Sequence, residues 1–280
     1  MKQTKKGDYN VRQSNSYIII FSAVLTIILG GLLSLASVGL GPLQREQIDR
    51  DNKRRILAAV MDLQPTDDVL EIYEERIQSL VVDIEGKVIG SEVTDEMFIA
   101  EQINISKEFR KPPEERVFPV FKFMSAENAD EVEAYIVPMN GSGLWNEISG
   151  FVALETDLET VKGVVFDHVG ETPGLGARIT EENVQNRFVG KKIYDDVGKL
   201  LSIQMVKQET GDPGIYDDYH VDGLSGATMT ANGVNDMLRN YFRYYEAYFQ
   251  KVKEEGEGAG EENIDQDTGG DEFSSDDQST

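Results

Sequence analysis

The sequence predicts an α+β domain that follows a single N-terminal transmembrane helix. Residues 17–40 consist mainly of Ile, Leu, Val and Ala, and no charged residue lies between Arg12 and Arg45. As a helix, this segment is long enough to cross a bilayer. Behind it, short apolar runs typical of strands alternate with apolar residues at helical spacing. Together these patterns indicate helices packed on a sheet, in a mixed α/β arrangement.

The transmembrane helix is predicted over residues 16–40, with residues 1–15 preceding it. A cleaved signal peptide is the alternative, because basic residues precede the apolar run and Ser34-Leu35-Ala36 is similar to a cleavage site. The apolar run is longer than that of a usual signal peptide, which favours a membrane anchor. Further basic residues follow the helix from Arg45 to Arg55, so their distribution does not determine which end faces the cytoplasm.

The region behind the anchor is predicted to contain a stalk helix over residues 44–63 and then a folded domain. Residues 44–139 hold the stalk and the N-terminal part of this domain, and residues 140–253 hold its second part. A last helix is predicted over residues 232–253, where Met and aromatic residues at helical spacing are typical of core packing. Strands are predicted around Leu80–Val82, Val117–Phe123, Val132–Pro138, Gly150–Leu154, Val161–Phe166, Lys191–Tyr194 and Leu200–Val206.

Residues 254–280 are predicted to form a disordered acidic tail. The segment has no basic residue, and Ile264 and Phe273 are isolated large apolar residues among Gly, Ser, Asp and Glu. It cannot bury enough apolar surface to offset the entropy lost on ordering.

Composition excludes several classes of function. The formal net charge is -24, from 27 Lys and Arg against 51 Asp and Glu, so the chain repels a phosphate backbone and no nucleic-acid partner is expected. The chain has no Cys, and its two His are His168 and His220. These residues cannot supply a zinc ribbon, an iron–sulfur cluster or a catalytic thiol. We expect no metal site, and redox chemistry must come from an organic cofactor.

The segment Asp222-Gly223-Leu224-Ser225-Gly226-Ala227-Thr228-Met229-Thr230 carries the clearest functional signal. It combines hydroxyl side chains with small residues just before a predicted helix, so backbone N–H groups and hydroxyls can converge on a phosphate. The order of residues resembles the S-G-A-T-x-T signature of flavoproteins in which FMN is esterified to the last threonine, here Thr230. The alternative is a turn in which Thr228, Thr230 or Asn232 caps the helix without any ligand.

Two upstream segments are rich in glycine. Residues 141–155 read GSGLWNEISGFVALE and contain the only Trp, Trp145, and residues 170–179 read GETPGLGARI. Neither segment is a dinucleotide-binding fingerprint, because the third glycine is missing from both. Taken singly, each is better explained as a surface turn, with Trp145 as a core aromatic residue.

The order GxGLWxxxxGFVALE, GETPGLGARI and VDGLSGATMTANGV, behind one membrane helix, closely resembles the NqrC family, the C subunits of the sodium-translocating NADH:quinone oxidoreductases. The resemblance covers most of residues 12–250 and ends at the acidic tail. It implies a subunit of a complex that passes electrons from NADH to ubiquinone and pumps sodium ions. It also implies that the subunit has no complete activity alone, and that its domain is periplasmic while residues 1–15 are cytoplasmic.

The resemblance implies covalent FMN, attached through its phosphate to Thr230. The phosphate pocket is then shaped by Ser225, Gly226, Ala227 and Thr228. Glu171, Thr172, Gly174 and Leu175 are carried over as flavin contacts, with Trp145 as a stacking or wall residue. No catalytic side chain is needed, because the isoalloxazine supplies the redox chemistry.

The resemblance also implies partners and a location. The chain is expected in the inner membrane, crossing it once, with the other membrane subunits of the reductase. A flavin transferase is expected to attach FMN, since a threonine hydroxyl is a poor nucleophile unaided. Two alternatives stay open: the G subunit of an Rnf-type electron transport complex, or another exported covalent-flavin carrier, and more distantly a cofactor-free membrane-anchored scaffold.

Overall fold

The computed structural model describes residues 15–91 and 98–265, and the chain divides into two compact units, residues 1–51 and 52–280. Helix α1, Asn15–Ala58, is long and apolar enough to span a membrane. It contains the predicted segment 16–40 and the beginning of the predicted stalk helix, which ends at Ala58 and not at residue 63. The N-terminal segment before residue 15 lies outside the described residues.

The second unit is built on a six-stranded sheet in which all neighbouring strands are antiparallel. The strands lie in the order β2-β1-β3-β4-β5-β6, and β7 and β8 form a separate parallel pair. The strands are β1 Ile77–Val82, β2 Val88–Ser91, β3 Phe118–Met124, β4 Val132–Ser142, β5 Glu147–Leu154, β6 Val161–His168, β7 Gln204–Met205 and β8 His220–Val221. The remaining α-helices of the described residues are α2 Val69–Arg76, α3 Ile105–Phe109, α4 Glu182–Gln185 and α5 Thr228–Asp265.

Both faces of the sheet are covered, because successive side chains of a strand point to opposite faces. In β4, Tyr135, Val137 and Met139 belong to the core beneath helix α5, whereas Ala134 and Ile136 belong to the core on the other face. The second core also contains residues from the end of α1 and from α2. Apolar side chains on both faces explain why the strands were visible in the sequence as continuous apolar runs.

Five predicted strands are confirmed as β1, β3, β4, β5 and β6. Strand β2 was not predicted, because it is a short strand of mostly half-buried and exposed residues. The two later predictions were wrong in extent: Lys191–Tyr194 and Leu200–Val206 contribute only isolated bridges and the two-residue strand β7. The predicted boundary between residues 139 and 140 falls inside β4, and one sheet contains strands from both sides of it.

Helix α5 begins and ends beyond the predicted bounds. It starts at Thr228 and not at residue 232, so Thr230 and Asn232 lie inside the helix and do not cap it. Its backbone continues past residue 254, the predicted start of the tail, to Asp265, although Gly256, Gly258 and Gly260 lower the helix propensity of this stretch. The rest of the predicted tail, residues 266–280, lies outside the described residues.

Candidate functional site

The site is formed where the first turn of α5 meets the two glycine-rich segments. The turn before the helix has Gly226 at φ 75°, a left-handed conformation that glycine adopts without strain. The backbone N–H of Ala227 donates to the carbonyl of Leu224 at 3.1 Å, and that of Ala231 donates to the carbonyl of Ala227 at 3.0 Å. This geometry places Thr230 in the first helical turn with its side chain buried, at 1% exposure.

The hydroxyl of Thr230 is paired with a buried carboxylate. Thr230 Oγ1 donates to Glu171 Oε2 at 2.5 Å, although the two residues lie far apart in sequence. The other oxygen, Glu171 Oε1, accepts from the backbone N–H of Trp145 at 3.0 Å. The structure thus brings together one residue from each of the three sequence segments.

Glu171 is ionised at neutral pH. Burial acts to raise the pKa of its carboxyl, but the hydrogen bonds donated by the Thr230 hydroxyl and by the backbone of Trp145, Asn146 and Leu144 outweigh burial and lower that pKa. A buried carboxylate in direct contact with a hydroxyl is an arrangement that can accept the hydroxyl proton.

Two glycines permit this close packing. A Cβ at Gly176 would lie 2.4 Å from Thr230 Oγ1 and 2.5 Å from Glu171 Oε2, and a Cβ at Gly143 would lie 2.4 Å from Glu171 Oε1. Gly174 has a different role. Its φ of 73° is the left-handed conformation that the turn requires, and a Cβ added there would meet no atom within 4 Å. The glycines identified in the sequence therefore have two separate roles, close approach and turn conformation.

Four exposed apolar side chains form an apolar rim on the segments that meet at Thr230. We use this name for Leu144, Trp145, Leu175 and Met229, which lie on the three segments that meet there and are 40 to 70% exposed. Trp145 is the most exposed of them at 70%, and its Nε1 donates to Thr172 Oγ1 at 3.1 Å. The interpretation of Trp145 as a core residue is therefore wrong, because a hydrogen bond holds its ring at the surface.

An ion network, which the sequence did not reveal, braces the turn before α5. Glu209 accepts two hydrogen bonds from Arg178, at 2.9 and 2.7 Å, and one from Arg187 at 2.9 Å. Glu209 Oε2 also accepts from the backbone N–H of Ser225 at 2.8 Å, and Arg187 Nη1 donates to the carbonyl of Gly223 at 2.6 Å. Hydrogen bonds from Arg178, with those from Ser225 and Arg187, lower the pKa of Glu209 to about 2 against burial, which acts to raise it.

Asp222 fixes the adjoining loop. Its carboxylate accepts from the backbone N–H groups of Thr210 and Gly211, at 2.8 and 2.7 Å, and from the hydroxyl of Tyr216 at 2.9 Å. Burial acts to raise the pKa of Asp222, but these hydrogen bonds outweigh burial and lower it. No sequence signal identified Asp222 or Glu209 as loop anchors, because isolated acidic residues are ordinary in an acidic chain.

The predicted pocket residues differ in accessibility. Ser225 and Gly226 are exposed, Thr228 is half-buried, and Ala227 is buried. Thr172 and Leu175 lie on the same turn, where the backbone N–H of Leu175 donates to the carbonyl of Thr172 at 3.1 Å. The exposed turn adjoins the exposed rim, because a Cβ at Gly226 would lie 2.9 Å from Leu175 Cδ2.

Comparisons with known proteins agree with this geometry. Residues 143–243 match the model of the FMN-binding domain family. The C subunit of the Na(+)-translocating NADH-quinone reductase of Yersinia pestis is 32% identical over 250 residues, covering 85% of this chain and 91% of that protein. The corresponding protein of Vibrio anguillarum is 32% identical over 232 residues, covering 80% and 88%.

Solved structures show the same fold. The C subunit of this reductase from Parabacteroides distasonis superposes with a TM-score of 0.63 at 29% identity, covering 75% of this chain and 96% of that one. NqrC from Shewanella oneidensis gives a TM-score of 0.63 at 27% identity, covering 74% and 99%. The fold and the matched domain thus define an FMN-binding flavoprotein whose chain also carries a helix of membrane-spanning length. The chain belongs to the NqrC family, the C subunits of the Na(+)-translocating NADH-quinone reductases.

Proposed function

We propose that this chain carries FMN as a phosphoester on Thr230 and relays electrons within a Na(+)-translocating NADH-quinone reductase. The observation that carries the attachment site is the pairing of the Thr230 hydroxyl with the Glu171 carboxylate at the start of helix α5. Thr230 is the one threonine of the S-G-A-T-M-T segment whose hydroxyl meets a carboxylate on a second glycine-rich segment.

The residues around Thr230 fit a flavin phosphodiester. The exposed turn offers the Ser225 hydroxyl to a phosphate, and the helix N-terminus beyond it offers backbone N–H groups of the first turn of α5. Ala227 and Thr228 complete this pocket. Beside it, the exposed side chains of Trp145 and Leu175 provide apolar surface against which a flat aromatic ring system can stack, and Glu171, Thr172 and Gly174 belong to the same segment as Leu175.

Attachment requires part of the site to move. Thr230 is 1% exposed and Gly176 packs directly on its hydroxyl, so the turn of residues 172–176 must shift before a phosphorus atom can reach Oγ1. Glu171 is held from outside this turn, by the N–H of Trp145. We therefore expect the turn to shift during attachment while the carboxylate stays in place.

The isoalloxazine supplies the redox chemistry when FMN is bound, and the protein sets its exposure and surroundings. The chain acts as one component of the oxidoreductase complex and needs the other membrane subunits for a complete reaction. Family membership favours this role over that of an Rnf-type G subunit, and the matched FMN-binding domain argues against a cofactor-free scaffold.

We further propose that residues 16–40 cross the inner membrane once, with residues 1–15 cytoplasmic and the flavin domain periplasmic. The apolar helix α1 supports the anchor. Because the chain has no Cys, single cysteines placed at exposed positions can be labelled in intact cells with a membrane-impermeant maleimide. Labelling of Val197→Cys without permeabilisation supports a periplasmic domain, and labelling only after permeabilisation of the inner membrane contradicts it.

Covalent attachment is tested by co-expressing the chain with a flavin transferase, denaturing it in SDS and recording flavin fluorescence at the protein band. We expect a fluorescent wild-type band, a dark Thr230→Ala band and a fluorescent Thr228→Ala band, because the hydroxyl of residue 230 forms the ester. Mass spectrometry of the peptide containing residue 230 gives the attachment position directly. A dark wild-type band, or a fluorescent Thr230→Ala band, would contradict the proposal.

A further inference from the structure

Electron transfer through the flavin gives no role to the carboxylate of Glu171. A flavin that exchanges electrons needs no protein base at its phosphate. Yet Glu171 Oε2 contacts the single atom at which the proposed ester forms, Thr230 Oγ1, at 2.5 Å. Both side chains are buried, Glu171 at 4% and Thr230 at 1% exposure.

We propose that Glu171 is the general base for flavin attachment, so that the chain supplies part of the catalytic machinery for its own modification. This inference depends on the proposed function, because it assigns a role in forming the ester on Thr230. A neighbouring base is the usual means of activating a hydroxyl nucleophile.

The donor in this step carries an activated phosphate and is of the flavin dinucleotide class. Thr230 Oγ1 forms the new bond to the flavin-side phosphorus while its proton passes to Glu171 Oε2. The anhydride bond of the donor breaks, and the nucleoside monophosphate leaves with the electron pair. No electron is gained or lost by the protein, and the transferase binds the donor.

The surroundings keep Glu171 aimed at the hydroxyl during this step. Its Oε1 is held by the backbone N–H of Trp145, and its own backbone N–H donates to His168 Nδ1 at 3.2 Å. His168 is the titratable side chain that contacts residue 171 on the β6 side, and Arg178, beyond the same turn, is engaged by Glu209. The lowered pKa of Glu171 leaves the carboxylate free of a proton at neutral pH.

The test uses the full-length chain in detergent, purified without flavin, with purified transferase and flavin adenine dinucleotide. The rate at which fluorescence appears at the denatured band is measured across a pH series. We expect Glu171→Gln to slow attachment by roughly 100-fold or more, the usual contribution of a general base. The ratio of wild-type to variant rate should fall by about tenfold per pH unit as hydroxide replaces the missing base. The titration of the transferase cancels in this ratio.

Glu147→Gln is the matched control. Glu147 also accepts a hydrogen bond from a hydroxyl, that of Ser106, but it does not contact Thr230 in the described structure. We expect this variant to be labelled at the wild-type rate. Glu171→Asp keeps a carboxylate and should be labelled at an intermediate rate with the pH dependence of the wild type.

The outcomes separate the two proposals. An unlabelled wild-type chain overturns the proposed covalent flavin itself. A labelled wild type with Glu171→Gln at the same rate and the same pH dependence overturns only the base. If Glu171→Gln does not fold, as judged by circular dichroism, Glu171→Asp decides: a rate equal to that of the wild type contradicts the base, because the shortened carboxylate no longer reaches Thr230 Oγ1 in the same geometry, and a slower rate with the wild-type pH dependence supports it.

Discussion

The two ends of the buried part of helix α5, residues 228–249, are buried in different ways. In its first turn, Thr230 is surrounded by a carboxylate and by glycine backbone. In its later turns, Tyr245 packs edge-on against Phe118 with ring centroids 5.5 Å apart and is stacked with Phe249 at 5.9 Å. The aromatic end contributes non-directional burial, whereas the site end depends on a few directional contacts at fixed positions.

This difference shows how one helix serves stability and function together. The aromatic end anchors α5 on the sheet, since Phe242, Tyr245 and Phe249 are fully buried. The anchored helix then presents its first turn to the loops without needing apolar packing there. Side chains of the apolar rim therefore stay exposed and available to a flavin.

The largest expected effect concerns the stability of the site end at acidic pH. It depends on Glu209, whose carboxylate braces the turn before α5. Its pKa in the folded protein is about 2, below the ordinary value of 4.5. The carboxylate therefore contributes stability that is fully present above about pH 4.5 and is lost as the pH falls towards 2. This contribution is at most about 3.5 kcal/mol, because one pKa unit corresponds to about 1.4 kcal/mol. We expect Glu209→Gln to lower the free energy of unfolding by a similar amount at pH 7 and to lack this part of the acid-dependent decline.

Denaturation of the full-length chain in detergent, followed by near-ultraviolet circular dichroism, measures both effects. Glu181→Gln is the matched control, because Glu181 also pairs with Arg178 but through a weaker contact of 3.4 Å at an exposed position. It should cost less than about 1 kcal/mol. A Glu209→Gln protein that unfolds like the wild type at pH 7 would show that the ion network contributes nothing to holding the turn.

The next largest effect is expected for Gly176→Ala, which adds a methyl group at the contact between the turn and Thr230. The new Cβ would lie 2.4 Å from Thr230 Oγ1, so the turn or the helix must shift. Such overpacking costs roughly 1–3 kcal/mol, and it should also reduce flavin attachment by displacing Glu171 from the hydroxyl. SDS gel fluorescence measures the attachment, and chemical denaturation measures the stability.

Gly170→Ala provides the comparison for that variant. A Cβ at residue 170 meets only the side chain of Asn146, at 3.7 Å, an ordinary van der Waals contact. We expect normal attachment and nearly unchanged stability. Equal attachment in Gly176→Ala and wild type would mean that the close approach of this turn is not needed for the ester to form.

The two ends of α5 also differ in how far the sequence predicted them. Helical spacing predicted the buried stripe of Met237, Tyr241 and Tyr245, because periodic burial leaves a periodic pattern. The glycine-rich segments could be selected as site segments through their resemblance to a known family. The contact of Glu171 with Thr230 could not be predicted, since it joins residues distant in sequence and depends on tertiary packing. The ion network of Glu209 left no signal for the same reason.

The smallest expected effects separate two tyrosines at the aromatic end. The hydroxyl of Tyr245 donates to the carbonyl of Pro119 at 2.8 Å, whereas the buried hydroxyl of Tyr248 has no hydrogen-bond partner among the described residues. Tyr245→Phe should destabilise the chain by about 1 kcal/mol, because it leaves a buried carbonyl with one partner fewer. Tyr248→Phe removes an unpaired polar group and should be neutral or slightly stabilising.

Both variants should bind FMN covalently to the wild-type extent, since neither touches the first turn of α5. Thermal unfolding of the two purified proteins gives the comparison, and equal losses of stability would mean that hydrogen bonding does not distinguish these two hydroxyls.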